Sequence, residues 1–177
     1  IKIILDIQTC GHYNLCMIAE TDLANLKKIK SQYGKILEVA GEAYQVQPEI
    51  LAGIMMRESK GGEALDQNGL GDSGHGHGLM QIDDRSFPLF CSQCDWRNPA
   101  VNILFAAFVL SRKKSFIQRK FNLDEQGLIR AAIAAYNCGE GNVQKALLAG
   151  EDVDSRTSRQ NYSRVVLEYA EAYNQLA

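Results

Sequence analysis

Ten residues near the middle of the chain, Val101 to Leu110 (VNILFAAFVL), are apolar almost all round, with Asn102 the one polar interruption. Preceded by Asn98-Pro99, the run reads as a helix without a polar face, and such a helix is stable only where other elements cover it. It falls well short of the ~20 apolar residues that span a bilayer. It is therefore expected at the centre of a domain, with its continuation SRKKSFIQRKF, to Phe121, becoming amphipathic and emerging at the surface. A chain of 177 residues suits one core of this kind and is short for two.

The segments on either side are also helical. After Asp22, read as an N-cap, Leu23, Leu26, Ile29, Tyr33, Ile36 and Leu37 recur at helical spacing towards Tyr44. Gln47-Pro48-Glu49 starts a new helix, since proline and an acidic side chain both favour a first turn; Gly61-Gly62 should end it. Further helices are expected from about Asp124 to Tyr136, where Ala131, Ala132, Ala134 and Ala135 allow close packing, from Gly141 to Leu148, and from Asn161 to Leu176. Tyr162, Val165, Val166, Tyr169, Ala170 and Tyr173 form the inner stripe of the last. Gly61, Gly62, Gly69, Gly71, Gly74, Gly76 and Gly78 crowd the one stretch that cannot be helical, which reads as a hairpin or loop lining a groove. The fold class is mainly α, with one minor β element.

The chemistry concentrates in Ile54 to Arg85. Leu51, Ile54, Met55 and Glu58 share one helical face, so a carboxylate continues a buried stripe. Removing a carboxylate from water favours its protonated form, which suits a general acid near neutral pH. The plain alternative is a structural acid paired with Arg57, Arg85 or a backbone amide.

Composition narrows the classes. A net charge of -2 argues against nucleic-acid binding, and Lys27-Lys28 with Lys30, and Arg112-Lys113-Lys114, read as solvated helix faces. The five cysteines suit two local disulfide loops, Cys10 with Cys16 and Cys91 with Cys94, leaving Cys138 as a free, buried thiol. Cys91 and Cys94 with His75 and His77 could instead form a zinc site, but the two histidines fit a solvent-facing or substrate-facing strand better. No metal and no cofactor are expected. The chain starts at Ile1 without methionine and reads as a processed or trimmed chain whose signal peptide is gone; IKIILDI, an edge strand or a leftover, carries no functional argument.

Four motifs, RES at Arg57 to Ser59, GLGD at Gly69 to Asp72, GLMQID at Gly78 to Asp83 and AAYNCGEGNV at Ala134 to Val143, stand in an order and spacing that resembles goose-type lysozyme. The likeness runs from about Asp22 to Tyr173, leaving residues 1–21 as an N-terminal extension before a catalytic domain at 22–177. It implies an α+β lysozyme-like fold, a single helical domain around a central buried helix with a small sheet lining the groove. The implied reaction is cleavage of the β-1,4 bond between N-acetylmuramic acid and N-acetylglucosamine in peptidoglycan. Glu58 would be the general acid; Asp72 and Asp83 would hold and activate water on the opposite face, giving inversion, for which such pairs stand ~6.5–9.5 Å apart. Asp84 falls one residue beyond the motif.

By the same matching Gln81, His77, Tyr136, Asn137 and Tyr162 would contact the sugar or flank the acid, although Tyr162 could equally be packing. The family's histidine after the second aspartate is replaced by Phe87, an aromatic before GLMQ is replaced by His77, and the family's N-terminal cysteine framework is not recognisable. The implied setting is that of a secreted, antibacterial monomer acting on bacterial peptidoglycan or N-acetylglucosamine oligosaccharides. A bacterial lysozyme-inhibitor protein is a partner by resemblance alone, and neither nucleic acid nor membrane is expected. Two other readings compete: a lytic transglycosylase, which needs Glu58 but no water-holding aspartates, and a lysozyme-like module that binds peptidoglycan without cutting it.

Overall fold

The most enclosed helix among the described residues is α2 (Pro48–Ser59), in which Ile50 to Met56 and Ser59 are all buried. A computed structural model describes residues 18–176. The expectations for IKIILDI, for the Cys10–Cys16 loop and for most of the N-terminal extension lie outside those residues. α1 (Glu20–Tyr44) packs along one side of α2 through Leu26, Ile29, Leu37 and Ala40, and α7 (Tyr162–Gln175) packs along the other. The α2–α7 approach is close because residue 53 is glycine, where a Cβ would run into the Val166 carbonyl oxygen and the Ala170 amide.

α4 (Pro99–Gln118), which carries the apolar run, packs on α1 and on α5 (Glu125–Cys138). It is capped by Asn98, whose side chain accepts from Ala100 N–H (2.9 Å), much as Asp124 caps α5 by accepting from Gly127 N–H (2.8 Å). The run Val101 to Leu110 is therefore not the fully enclosed helix of the sequence reading. Ile103, Ala106, Ala107 and Leu110 are buried, but Phe108 remains 39% exposed with its ring edge against Tyr44. The alanines of α5 are all buried, and Ala131, Ala134 and Ala135 join Ile117, Leu128, Val143 and Val153 in a second apolar cluster beneath α6 (Glu140–Leu148).

Boundaries shift for local reasons. α1 begins at Glu20, so Asp22 lies inside its first turn and accepts from the Tyr169 hydroxyl (2.8 Å) rather than capping the helix. α2 stops at Ser59, with Lys60 in the left-handed region ahead of Gly61 and Gly62, because the Ser59 hydroxyl accepts from Gly62 N–H and closes the turn. The short helix α3 (Pro88–Gln93) has no counterpart in the sequence reading.

The β element is an antiparallel sheet in the order β1 (Leu70–Gly71), β2 (Gly76–His77), β3 (Ile82–Asp83), with Gly71 opposite Gly76 and Gly76 opposite Asp83. Two-residue strands cannot order themselves, and three helices hold the backbone here by their side chains. Asn102 of α4, buried, accepts from Met80 N–H (2.8 Å) and donates to the His77 carbonyl (3.0 Å). Ser59 of α2 donates to the Leu79 carbonyl (2.7 Å) and Tyr136 of α5 to that of Met80 (2.9 Å). Among the described residues no helix is long and apolar enough to cross a membrane.

Candidate active site

Between the sheet and the helices lies a cleft of about 590 Å³ whose walls include Glu58, Asp72, Gln81, Asp83, Arg85, Tyr136 and Asn137. α2 delivers Glu58 from the core, one turn after Ile54 and Met55. The Tyr162 hydroxyl, buried at the start of α7, donates to its Oε1. Burial pushes the Glu58 carboxyl up to about 7; the Tyr162 bond and the Arg57 charge pull it down, while Asp72 pushes it further up. Burial and the neighbouring acid also hold the Tyr162 hydroxyl well above the ordinary tyrosine range, so it remains a donor. The Arg57 guanidinium lies 5.7 Å from the centre of the Tyr162 ring.

The sheet delivers the other two acids. Asp72 follows β1 and is 65% exposed, and Asp83 ends β3 and is more enclosed. One arginine joins them: Arg85 donates through Nε to Asp83 (2.7 Å) and through Nη2 to Asp72 (2.8 Å). Burial acts to raise Asp83, but the Ser86 hydroxyl, Arg85 and the Ser86 amide outweigh it and hold the acid below the usual carboxylate range. Arg85 is the residue that sequence reasoning missed in this role, having considered it only as a partner for Glu58. Its signal was a guanidinium two positions after an acid at the end of an extended segment.

Gln81 reaches the cleft through a left-handed turn, donates to the Gly78 carbonyl (2.9 Å) and lays its amide across Gly71 and Gly76. A Cβ at either glycine would meet that amide, so the glycine pair makes the seat for it. Tyr136 and Asn137 line the wall formed by the end of α5; Asn137 accepts from Ser158 N–H (2.8 Å) and ties that wall to the loop before α7. Tyr162 touches the acid from behind. His77 is placed elsewhere: its ring meets Trp96 edge-on at 4.7 Å and its Nδ1 faces the His75 carbonyl (3.0 Å). His75 pairs with Asp84 (2.9 Å), which does not line the cleft with the other two aspartates.

Cys91 and Cys94 are free thiols, not a disulfide, since Cys91 lies within α3 with its sulfur towards the Ile82 carbonyl while Cys94 caps the helix and is exposed. Burial raises the Cys91 thiol to about 11. Lys113 is not on a solvated face, for its side chain lines the cleft and is 14% exposed. Cys138, expected to be a free buried thiol, is free and partly buried, and it also lines the cleft.

A carboxyl held near pH 7 and an arginine-tied pair of carboxylates in one cleft are suited to proton transfer and water activation at a glycosidic bond. The family model Lysozyme g matches residues 5–176 of the chain. Lysozyme g of Gallus gallus is 36% identical over 169 residues, covering 94% of this chain and 73% of that protein. Lysozyme G of Dromaius novaehollandiae is 35% identical over 167 residues, covering 94% and 76%, and Lysozyme g of Takifugu rubripes is 35% identical over 147 residues, covering 80% and 73%. The chain therefore belongs to the lysozyme g family and is a glycosidase of the lysozyme type.

Proposed function

We propose that the protein hydrolyses the β-1,4 bond between N-acetylmuramic acid and N-acetylglucosamine in bacterial peptidoglycan, with inversion, as a secreted antibacterial enzyme. The observation that supports this most is the sharing of one cleft by the water-deprived Glu58 and the Asp72–Arg85–Asp83 bridge. Glu58 gives its proton to the leaving glycosidic oxygen as the bond to the anomeric carbon breaks. Tyr162 and Arg57 stabilise the carboxylate that remains, since both favour its charged form. A water attacks from the other face and passes its proton to the aspartate pair, so the net change is addition of one water. Asp83, held below its ordinary range, is a weak base; its task is to orient the water and to oppose the positive charge that builds on the sugar ring. Arg85 keeps the two carboxylates side by side by offsetting their repulsion.

The test is digestion of purified peptidoglycan by the wild type and by Glu58→Gln, with muropeptides read by mass spectrometry and the first-formed anomer by NMR. Hydrated products of inverted configuration, absent with the variant, are expected. Anhydro products would assign the chain to transglycosylation, retained configuration would remove the water-holding role of the aspartates, and no products from either protein would leave a binding module.

A further inference from the structure

The basic run Arg112-Lys113-Lys114 divides three ways. Arg112 is exposed, Lys114 pairs with Glu125 (2.7 Å), and Lys113 enters the catalytic cleft, lining it together with Val109, Tyr136 and Asn137. Its ammonium donates to Glu140 Oε2 (2.6 Å). Glu140 stands in the first turn of α6, a position that favours a carboxylate, and Lys113 in turn holds it below the ordinary range.

Withdrawing a lysine side chain from water costs rotamer freedom and hydration, and one partner whose side chain is 42% exposed offsets little of that cost. An ammonium has three N–H donors, so the bond to Glu140 leaves two for a ligand. The other cation of the cleft wall, Arg85, is committed to two carboxylates that outweigh its charge. Among the described residues that line the cleft, Lys113 is thus the cation with donors left for an anion.

We infer that Lys113 is a specificity-determining residue that binds a carboxylate on the muramyl residues of the glycan, so that the cleft prefers anionic strands to neutral N-acetylglucosamine oligomers. This rests on the glycan substrate proposed above. The carboxylate is either that of the lactyl group in strands without peptide or one on the stem peptide. Glu140 holds the ammonium at the cleft wall and competes with the ligand for it.

The experiment measures kcat/KM for the wild type, Lys113→Met, Lys113→Arg and Glu140→Gln on three soluble substrates: a neutral N-acetylglucosamine oligomer, glycan strands with stem peptides, and the same strands stripped to the lactyl carboxylate. The charged-to-neutral ratio should fall about tenfold or more in Lys113→Met, the size of one charge-assisted hydrogen bond. It should hold in Lys113→Arg, rise in Glu140→Gln, and shrink with added salt in every protein that keeps a cation at position 113 but not in Lys113→Met. The charged substrate that loses more identifies the carboxylate. An equal fall on all three substrates in Lys113→Met makes Lys113 structural and overturns the inference. Calorimetric binding of the same oligomers to Glu58→Gln, with and without Lys113→Met, reads the preference without turnover. A binding preference that depends on Lys113, found in a protein whose wild type releases no products, sinks the hydrolase reading alone. Equal binding of charged and neutral strands sinks the inference alone.

Discussion

Replacing Glu58 by glutamine should make the protein more stable above pH 7 and change its stability little at pH 4. Glutamine keeps the size of the side chain and an oxygen for the Tyr162 hydroxyl, but it has no charge to desolvate. In the wild type, burial raises the carboxyl from 4.5 to about 7, so across that window the native state binds a proton that the unfolded chain has released. Stability from this group is then present below pH 4.5 and is lost as pH rises through 7. The full loss is about 3 kcal/mol, at ~1.36 kcal/mol for each pH unit. In a domain of this length that is roughly 6–12 °C in Tm. Urea unfolding of both proteins at pH 4, 5.5 and 8 measures it, and the other titrating groups cancel in the difference between the two curves. A difference that stays flat with pH, or a variant less stable at pH 8, would show that Glu58 is not deprived of water, and the argument for a general acid would lose its physical basis.

Four further outcomes are expected. Tyr162→Phe removes a bond that lowers Glu58, so the pH at which hydrolysis falls off on the alkaline side should move upward; an unmoved or lowered limb counts against the contact. Asp72→Asn and Asp83→Asn should each reduce turnover of peptidoglycan, with the double variant slowest, and full activity in both single variants would remove their role with water. Asn102→Ala leaves the Met80 amide and the His77 carbonyl without their partner and should cost about 1–3 kcal/mol in urea unfolding, with a loss below half a kcal/mol refuting the anchoring role. Chelator treatment should leave turnover unchanged, and a large fall would point to a metal at the acids.

Helical spacing made most of the architecture legible, because buried stripes repeat every three to four residues and alternate with charge. It misjudged which helix lies deepest. Val101 to Leu110 has the more continuous apolar run, yet Phe108 faces outward, whereas α2 is enclosed because Gly53 lets α7 approach its backbone. That cue is a missing side chain, which periodicity does not weigh. Glu58 was readable for the same reason as the core, since it continues an apolar face. Arg85 was not, because its bond to Asp72 spans 13 positions and depends on the sheet register. Lys113 sat in a run whose composition predicts water on all sides, and only the packing of α4 beside α5 and α6 turns one of its three cations inward. The Cys91–Cys94 pairing failed for a related reason: nearness in sequence says nothing of the direction two thiols take from a short helix.

The suspension of the 77–80 backbone from Asn102, Ser59 and Tyr136 bears on how the enzyme is assembled. Strands of two residues offer no nucleus of their own, and the three side chains that fix this backbone come from α4, α2 and α5. The wall that carries the aspartates should therefore consolidate only after those helices have docked, making catalytic competence a late event in refolding. In hydrogen exchange, the Met80 amide, held by a buried side chain outside any regular strand, should be protected almost as long as the helical core.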